Sequence, residues 1–261
     1  LTVKQPNNYA CAYNFPNPLF CQNNDGLIAI GADLSVNTLR YAYAHGMFPW
    51  FNHGDPIMWW SPNPRCIIYP HTFKPSKTLI RKLKNSGWTV SVNADFLSVI
   101  QNCCNTRAHS QGTWISDEMI NAYYALHKQG DAISVEVWDH DTLIGGLYGV
   151  KLGQAFFGES MFHHVTDASK AAFFALMVLC RLSNFAWVDC QLPNTHLLSL
   201  GASVIGREQF LHELARQVSQ NSCVWSMIFA QKIQAKDLLL NCPIVNKNNC
   251  LTLNLSTRPK G

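Results

Sequence analysis

Residues 171–180 are all apolar, the longest such run in the chain. A membrane helix needs about 18 such residues, so this run has the length of a buried helix segment. The pattern predicts a helix over 168–183 that is apolar on every side. Such a helix is stable only inside a protein, and the rest of the chain must cover it. At 261 residues, 48% hydrophobic and 14% charged, the chain is long enough for one large domain or two small ones. That composition with a net charge of +4 excludes disorder. The N-terminal residues 1–8 lack a positive stretch followed by an apolar one, so no signal peptide is read and a cytoplasmic protein is expected.

Around the apolar helix the periodicity alternates. Strands are predicted at 88–92, 133–138, 143–151, 155–158 and 187–192, and helices at 94–104, 116–128 (capped by Ser116) and 208–219. Asp139-His140-Asp141 is a hairpin turn. No G-x-G-x-x-G follows a strand, so a mixed sheet is expected rather than a dinucleotide-binding one. Upstream, a short strand or turn at 25–31 leads to a helix capped by Ser35 that stops at Gly46. A rigid aromatic loop follows, with three Trp and four Pro between residues 47 and 65. It serves either as a packing plug or as a stacking surface for a base. A strand at 66–69 and a helix from Ser76 to near Gly87 come next. The tail reads as a peripheral helix over 224–240 and then poorly ordered chain.

The charge is unevenly placed. Residues 56–94 hold six basic residues and no acid, whereas residues 95–237 hold nine basic and thirteen acidic ones. On the helix after Ser76, Lys77, Arg81 and Lys84 share one face, with Lys82 and Lys74 nearby. With no Glu between them, these cations gain nothing from neighbouring ion pairs. They form either a solvated face or a contact for a phosphate backbone. The acidic body suits a cationic partner. None of the ten cysteines forms a C-x-x-C pair, so reduced, structural thiols and no metal are expected.

Two clusters could carry chemistry. Glu159 stands among aromatic residues, either as a cap or as a working carboxylate. Asp189 and Gln191, two apart on a strand, project from one face; they are either a satisfied polar pair or a device for holding an amine.

In its motifs the chain resembles the bacterial leucyl/phenylalanyl-tRNA–protein transferases. The resemblance runs from Asp25-Gly26-Leu27 and Asp33-Leu34-Ser35 through Ala42-Tyr43, Phe48-Pro49-Trp50 and Trp59-Trp60-Ser61-Pro62-Asn63-Pro64-Arg65. It continues with Gly112-Thr113-Trp114-Ile115, Ala122-Tyr123, Ser134-Val135-Glu136-Val137-Trp138, Gly145-Gly146-Leu147-Tyr148-Gly149 and Gly158-Glu159-Ser160-Met161-Phe162. It ends with Ala168-Ser169-Lys170, Asp189-Cys190-Gln191 and Ser199-Leu200-Gly201-Ala202. The chain departs from the family at Gly31-Ala32, at His163 and in the tail beyond about residue 220.

The resemblance implies an α/β (α+β) fold with a small N-terminal α/β domain over 1–65. A mixed-sheet catalytic domain similar to the acyl-CoA N-acyltransferase (GNAT-like) fold covers 66–220, and an extension covers 221–261. It implies transfer of Leu or Phe, less well Met, from aminoacyl-tRNA to the α-amine of proteins beginning with Arg or Lys, which marks them for degradation. No cofactor, no metal and no membrane is implied, and a monomer is expected. Gln191 is expected to orient the amine, Asp189 to supply a negative field and Glu159 to read the cationic acceptor. Leu147, Phe156, Met161, Phe173, Leu176 and Val188 are expected to form the pocket for the donor side chain. Trp50, Trp59, Trp60 and Trp114 would bound that pocket or stack on the terminal adenosine, and Lys74, Lys77, Arg81, Lys82 and Lys84 would meet tRNA. The rival readings are a CoA-dependent N-acetyltransferase, whose pyrophosphate loop is absent from residues 163–170, and a non-catalytic tRNA-binding module.

Overall fold

A computed structural model describes residues 9–21, 25–108, 115–220 and 231–241. The chain enters through a short 3-10 turn at Pro18–Phe20 and strand β1, Leu27–Ile30. Helix α1, Val36–Ala44, starts where the Ser35 hydroxyl accepts from the Thr38 N–H, the N-cap bond that its sequence predicts. The aromatic segment that follows is not all loop. It contributes β2, Phe48–Pro49, and β3, Met58–Trp60; β3 pairs with both β1 and β2 in a three-stranded sheet of order β1-β3-β2.

The larger sheet begins with β4, Arg65–Ile68. Then come α2 (Lys77–Asn85), β5 (Thr89–Val92), α3 (Phe96–Ala108), α4 (Asp117–Lys128), β6 (Ala132–Asp139), β7 (Thr142–Leu152) and β8 (Ala155–His163). Helix α5, Ala168–Leu182, is followed by β9, Val188–Gln191, α6, Thr195–Ser199, β10, Ser203–Ile205, and α7, Arg207–Val218. The eight strands, including a last one, β11, at Ile233–Gln234, lie in the order β10-β4-β9-β8-β7-β6-β5-β11. Every neighbouring pair is antiparallel except β8 and β9. A parallel pair needs a crossover, and α5 is that crossover. The mixed sheet expected from the sequence is therefore present.

The two faces of this sheet carry separate apolar layers. Helix α5 packs on one face with Ile133, Val135, Val137, Leu147, Phe156 and Val188. Its outer side is covered by Leu79 and Leu83 of α2 and by Ala235, Leu238 and Leu239, which explains how a helix apolar on every side is satisfied. Those last three residues correct the expectation for the tail. The described part forms the edge strand β11 and a 3-10 helix over Ala235–Asn241 rather than an α-helix; residues 221–230 and 242–261 lie outside the described residues. Pairing to β5 and the burial of three apolar side chains outweigh helical periodicity here. The opposite face of the sheet carries α1, α3, α4 and α7, with Leu39, Tyr43, Val99, Tyr123, Tyr148, Phe157 and Phe210 in one core that continues into the three-stranded sheet. Among the described residues no helix is long and apolar enough to cross a membrane.

A carboxylate held at a split between two strands

Strands β8 and β9 pair at only two positions, Phe156 with Val188 and Phe157 with Asp189. Beyond them β8 continues alongside β7 to Gly145 opposite His163, while β9 runs beside β4. The sheet therefore opens after Phe157, and both rims of the opening are irregular. On β8 the register passes from Gly149–Gly158 to Tyr148–Ser160, which leaves Glu159 as the extra residue of a bulge. On β9 it passes from Ile67–Asp189 to Cys66–Gln191, which leaves Cys190 as the extra one. Bulges bend a strand and re-aim its side chains. The first needs Gly149, because a Cβ there would lie 2.2 Å from the Phe157 carbonyl oxygen. At the second, Gln191 has a left-handed backbone, φ 64°, uncommon for a residue with a side chain. The alternation of one regular strand thus does not run through Asp189 and Gln191.

Glu159 turns into the core and is 7% exposed. Helices α1 and α4 each send one tyrosine to it. The Tyr43 hydroxyl lies 2.7 Å from Oε1 and the Tyr123 hydroxyl 3.2 Å from Oε2, and the two hydroxyls also meet each other; with Glu159 ionised, their two protons serve two of these three contacts at a time. Helical spacing places them, since Leu39, Ala42 and Tyr43 on α1 and Met119, Ala122, Tyr123 and Leu126 on α4 are the buried faces. From the other rim, Gln191 donates its side-chain N–H to Glu159 Oε1 at 2.9 Å. Burial raises the Glu159 pKa from 4.5 to about 7; the tyrosine hydrogen bonds and the Arg65 charge oppose the rise, and the Asp189 charge adds to it. Tyr43 and Tyr123 are themselves held far above the ordinary phenol value, first by burial and then by Glu159.

This network settles the orientation of the Gln191 amide. When ionised, Glu159 offers only acceptors to it, so the NH2 group then faces Glu159. The amide oxygen then faces away from Glu159, a hydrogen-bond acceptor held in place from behind.

Asp189 is differently placed from what its spacing suggests. It is fully buried, and Arg65 on β4 grips it with two hydrogen bonds, Nε to Oδ1 at 2.8 Å and Nη2 to Oδ2 at 2.5 Å. It also accepts the Gln191 backbone N–H at 2.9 Å. A carboxylate matched by a bidentate guanidinium exerts little net field at a distance. The uncompensated acid beside Gln191 is Glu159.

The apolar candidates gather on the α5 side. Leu147, Phe156, Phe173, Leu176 and Val188 are buried in one cluster, and Met161, half-buried, packs against it. Trp59 and Trp60 belong to the other face. Trp59 is fully buried, donates its indole N–H to the Gly31 carbonyl at 2.8 Å and meets Phe15 edge-on. It is a packing plug with no face open to stack on a base. Trp50 is 42% exposed, Trp60 donates to its carbonyl, and their ring centroids are 5.8 Å apart, so this pair presents an aromatic surface. Trp114 lies outside the described residues.

Helix α2 is amphipathic as expected. Leu79 and Leu83 are buried; Lys74, Lys77, Arg81 and Lys84 are exposed; and Lys82 lies 4.7 Å over the Trp88 ring. Among the described residues no group of three or more His, Cys, Asp or Glu is placed to hold a metal ion.

Sequence spacing does not reveal Tyr43, Tyr123 or Arg65 as parts of this site, although each lies in a motif of the family resemblance. Their common signal is a polar side chain among residues otherwise patterned for the core.

Two family descriptions match the sequence. "Leucyl/phenylalanyl-tRNA protein transferase" matches residues 67–215, and the N-terminal domain of the same family matches residues 32–63. Three similar proteins carry the name leucyl/phenylalanyl-tRNA–protein transferase. The one from Psychrobacter arcticus is 49% identical over 219 residues, 82% of each chain. That of Shewanella sediminis is 47% identical over 83% of this chain and 94% of its own. That of Legionella pneumophila strain Corby is 48% identical over 79% and 92%. Among solved structures, L-PGS from Bacillus licheniformis aligns with a TM-score of 0.37 at 10% identity, over 62% of this chain and 52% of that one.

Proposed function

The chain belongs to the leucyl/phenylalanyl-tRNA–protein transferase family, and on that premise we propose that it moves leucine or phenylalanine from aminoacyl-tRNA to the α-amine of proteins beginning with Arg or Lys. The observation that carries the reading is the Gln191 amide, held by its NH2 to Glu159 across the split between β8 and β9, so that its oxygen faces away from Glu159.

An aminoacyl ester is already activated, so amide formation needs no ATP. The nucleophile is an α-amine with a pKa of about 7.7–8.0, partly free base at neutral pH. Orientation of the two reactants therefore supplies much of the acceleration. Gln191 accepts an N–H of the attacking amine through its side-chain oxygen and aims the nitrogen lone pair at the ester carbonyl carbon. The N–C bond forms, the bond from that carbon to the ribose oxygen breaks, the nitrogen gives up a proton and the ribose oxygen takes one. Glu159, behind Gln191, fixes the amide and supplies the negative field that favours the positive charge developing on the nitrogen. The cationic acceptor end is drawn by the same carboxylate, acting at one remove because its oxygens are occupied by Tyr43, Tyr123 and Gln191.

The donor side chain enters the cluster of Leu147, Phe156, Met161, Phe173, Leu176 and Val188, with Met161, on the same strand as Glu159, at its accessible edge. The exposed cations of α2 meet the acceptor stem of tRNA, and Trp50 with Trp60 offers its terminal adenosine a stacking surface. The division near residue 65 follows the step from the three-stranded to the eight-stranded sheet.

The test is transfer of radiolabelled leucine from Leu-tRNA by the purified protein, with no added cofactor, to peptides that differ only in their first residue. Label is expected on Arg- and Lys-starting peptides and not on an Ala-starting one. No transfer to any of them refutes the reading, and stimulation by acetyl-CoA would favour the acetyltransferase alternative.

A further inference from the structure

We propose that Arg65 is a positioning residue for this reaction, a two-point clamp on Asp189 that holds the bulged end of β9 where Gln191 meets Glu159. The inference rests on the transfer reading above.

Arg65 is fully buried, and among the described residues the hydrogen bonds of its guanidinium go to Asp189 alone: two nitrogens are engaged there and the third, Nη1, has no hydrogen-bond partner. Two aromatic rings pack against Arg65, with the Phe48 ring centroid 4.9 Å and the Phe210 ring centroid 4.5 Å from the guanidinium carbon. Phe48 comes from β2 of the small sheet and Phe210 from α7, so parts of the chain remote in sequence converge on one cation. A guanidinium held through two of its nitrogens and packed against two rings has little freedom to rotate.

That rigidity passes directly to Gln191. The Asp189 oxygen Oδ1 that receives Arg65 Nε also receives the Gln191 backbone N–H at 2.9 Å. This bond reaches back across the bulge at Cys190 and holds Gln191 in its left-handed conformation. The side chain that leaves this backbone delivers its amide to Glu159. A regular strand would hold position 191 by the ladder alone; here the ladder skips Cys190 before it pairs Gln191 with Cys66, and the Arg65–Asp189 pair braces that step. Core stability by itself does not require such a pair, because a buried ion pair is seldom better than apolar residues of the same volume.

The experiment compares Arg65→Lys and the double variant Arg65→Met/Asp189→Asn with the wild type in the leucine-transfer assay. Rates are normalised to the folded fraction measured by circular dichroism. Lys keeps the charge but cannot make the two-point contact. The double variant removes both buried charges together and keeps an acceptor for the Gln191 N–H. In each, kcat is expected to fall at least tenfold while KM for Leu-tRNA and for the Arg-starting peptide stays within threefold. A merely structural role would lower the melting temperature and leave kcat per folded molecule unchanged. Arg65→Lys retaining more than half of the wild-type kcat overturns the proposal. If that variant does not fold, a double variant within twofold of wild type overturns it, and a double variant slowed tenfold at unchanged KM supports it. A wild-type protein that fails to transfer leucine sinks the functional reading instead, so the two failures are distinct.

Discussion

Replacing Glu159 with Gln keeps the size of the side chain and removes its charge. The amide oxygen can still accept from Tyr43 and from Gln191, while Tyr123 turns its hydroxyl to accept from the new NH2, so the fold should survive. Burial lifts the folded-state pKa of Glu159 from 4.5 to about 7. The folded protein therefore holds this proton more tightly than the unfolded chain does. The stability that Glu159 contributes is fully present below the unfolded value and is lost as pH rises through about 7. A shift of that size corresponds to about 3 kcal/mol. The stability of the wild type relative to Glu159→Gln should accordingly fall by about 3 kcal/mol between pH 4.5 and pH 8, as read by urea unfolding at a series of pH values. Taking the difference between two proteins cancels the other titrating groups. Transfer should behave in the opposite sense. Wild-type kcat/KM for an Arg-starting peptide should rise as Glu159 loses its proton near pH 7, on top of the rise from the acceptor amine at about 7.7–8.0. In Glu159→Gln only the amine step should remain, and kcat should be about 100-fold lower, the lower end of the size expected on removing one preorganised electrostatic interaction. A stability difference that is flat with pH, or a variant with wild-type kcat, would refute the placement of a buried working carboxylate here.

Three further outcomes follow from the same geometry. Asp189→Asn leaves the Arg65 guanidinium buried without its counter-ion and should cost about 3–5 kcal/mol in urea unfolding, together with a loss of leucine transfer; unchanged transfer would contradict its role in holding Gln191. Tyr43→Phe removes a hydrogen bond that lowers the Glu159 pKa, so the lower inflection of the pH–rate profile should move above about 7. Replacing Lys77, Arg81 and Lys84 together with Ala should weaken binding of every aminoacyl-tRNA and reduce the slope of log K against log salt by about 2, since each phosphate that a cation neutralises adds about 0.7–0.9 to that slope. Use of an aminoacyl-adenosine should be little affected, and an equally weakened response to that small donor would place these cations elsewhere than on tRNA.

The elements most legible in the sequence are those whose causes are local. The caps at Ser35, Ser76 and Ser116 each accept the backbone N–H expected of them, because an N-cap bond spans only three residues. Helix α2 shows its two faces in its spacing, and α5 announces itself by ten apolar residues that only a covered interior tolerates. Glu159, Asp189 and Gln191 are identifiable as chemistry-bearing residues from their context and from the family resemblance, and the Gln191–Glu159 hydrogen bond joins two of them directly.

The charge state and aim of those residues are not legible in the same way. Periodicity ends a strand at 158 and leaves Glu159 just beyond it, but β8 runs on to His163, and the bulge that turns Glu159 inward depends on pairing with β7. The negative field expected of Asp189 is neutralised by Arg65, 124 positions away in sequence, and Trp59 is withdrawn from any stacking surface by its burial under Phe15. Residues 235–241 also escape local reading, because their conformation answers to α2 and α5 rather than to their own periodicity. The sequence by itself determined where the capped and strongly periodic elements form and that Glu159, Asp189 and Gln191 carry chemistry-bearing groups, since caps and periodicity act over a few residues. Only the tertiary structure decided which carboxylate stays uncompensated beside Gln191, because desolvation and Coulomb energy depend on partners that the chain brings together from four distant places.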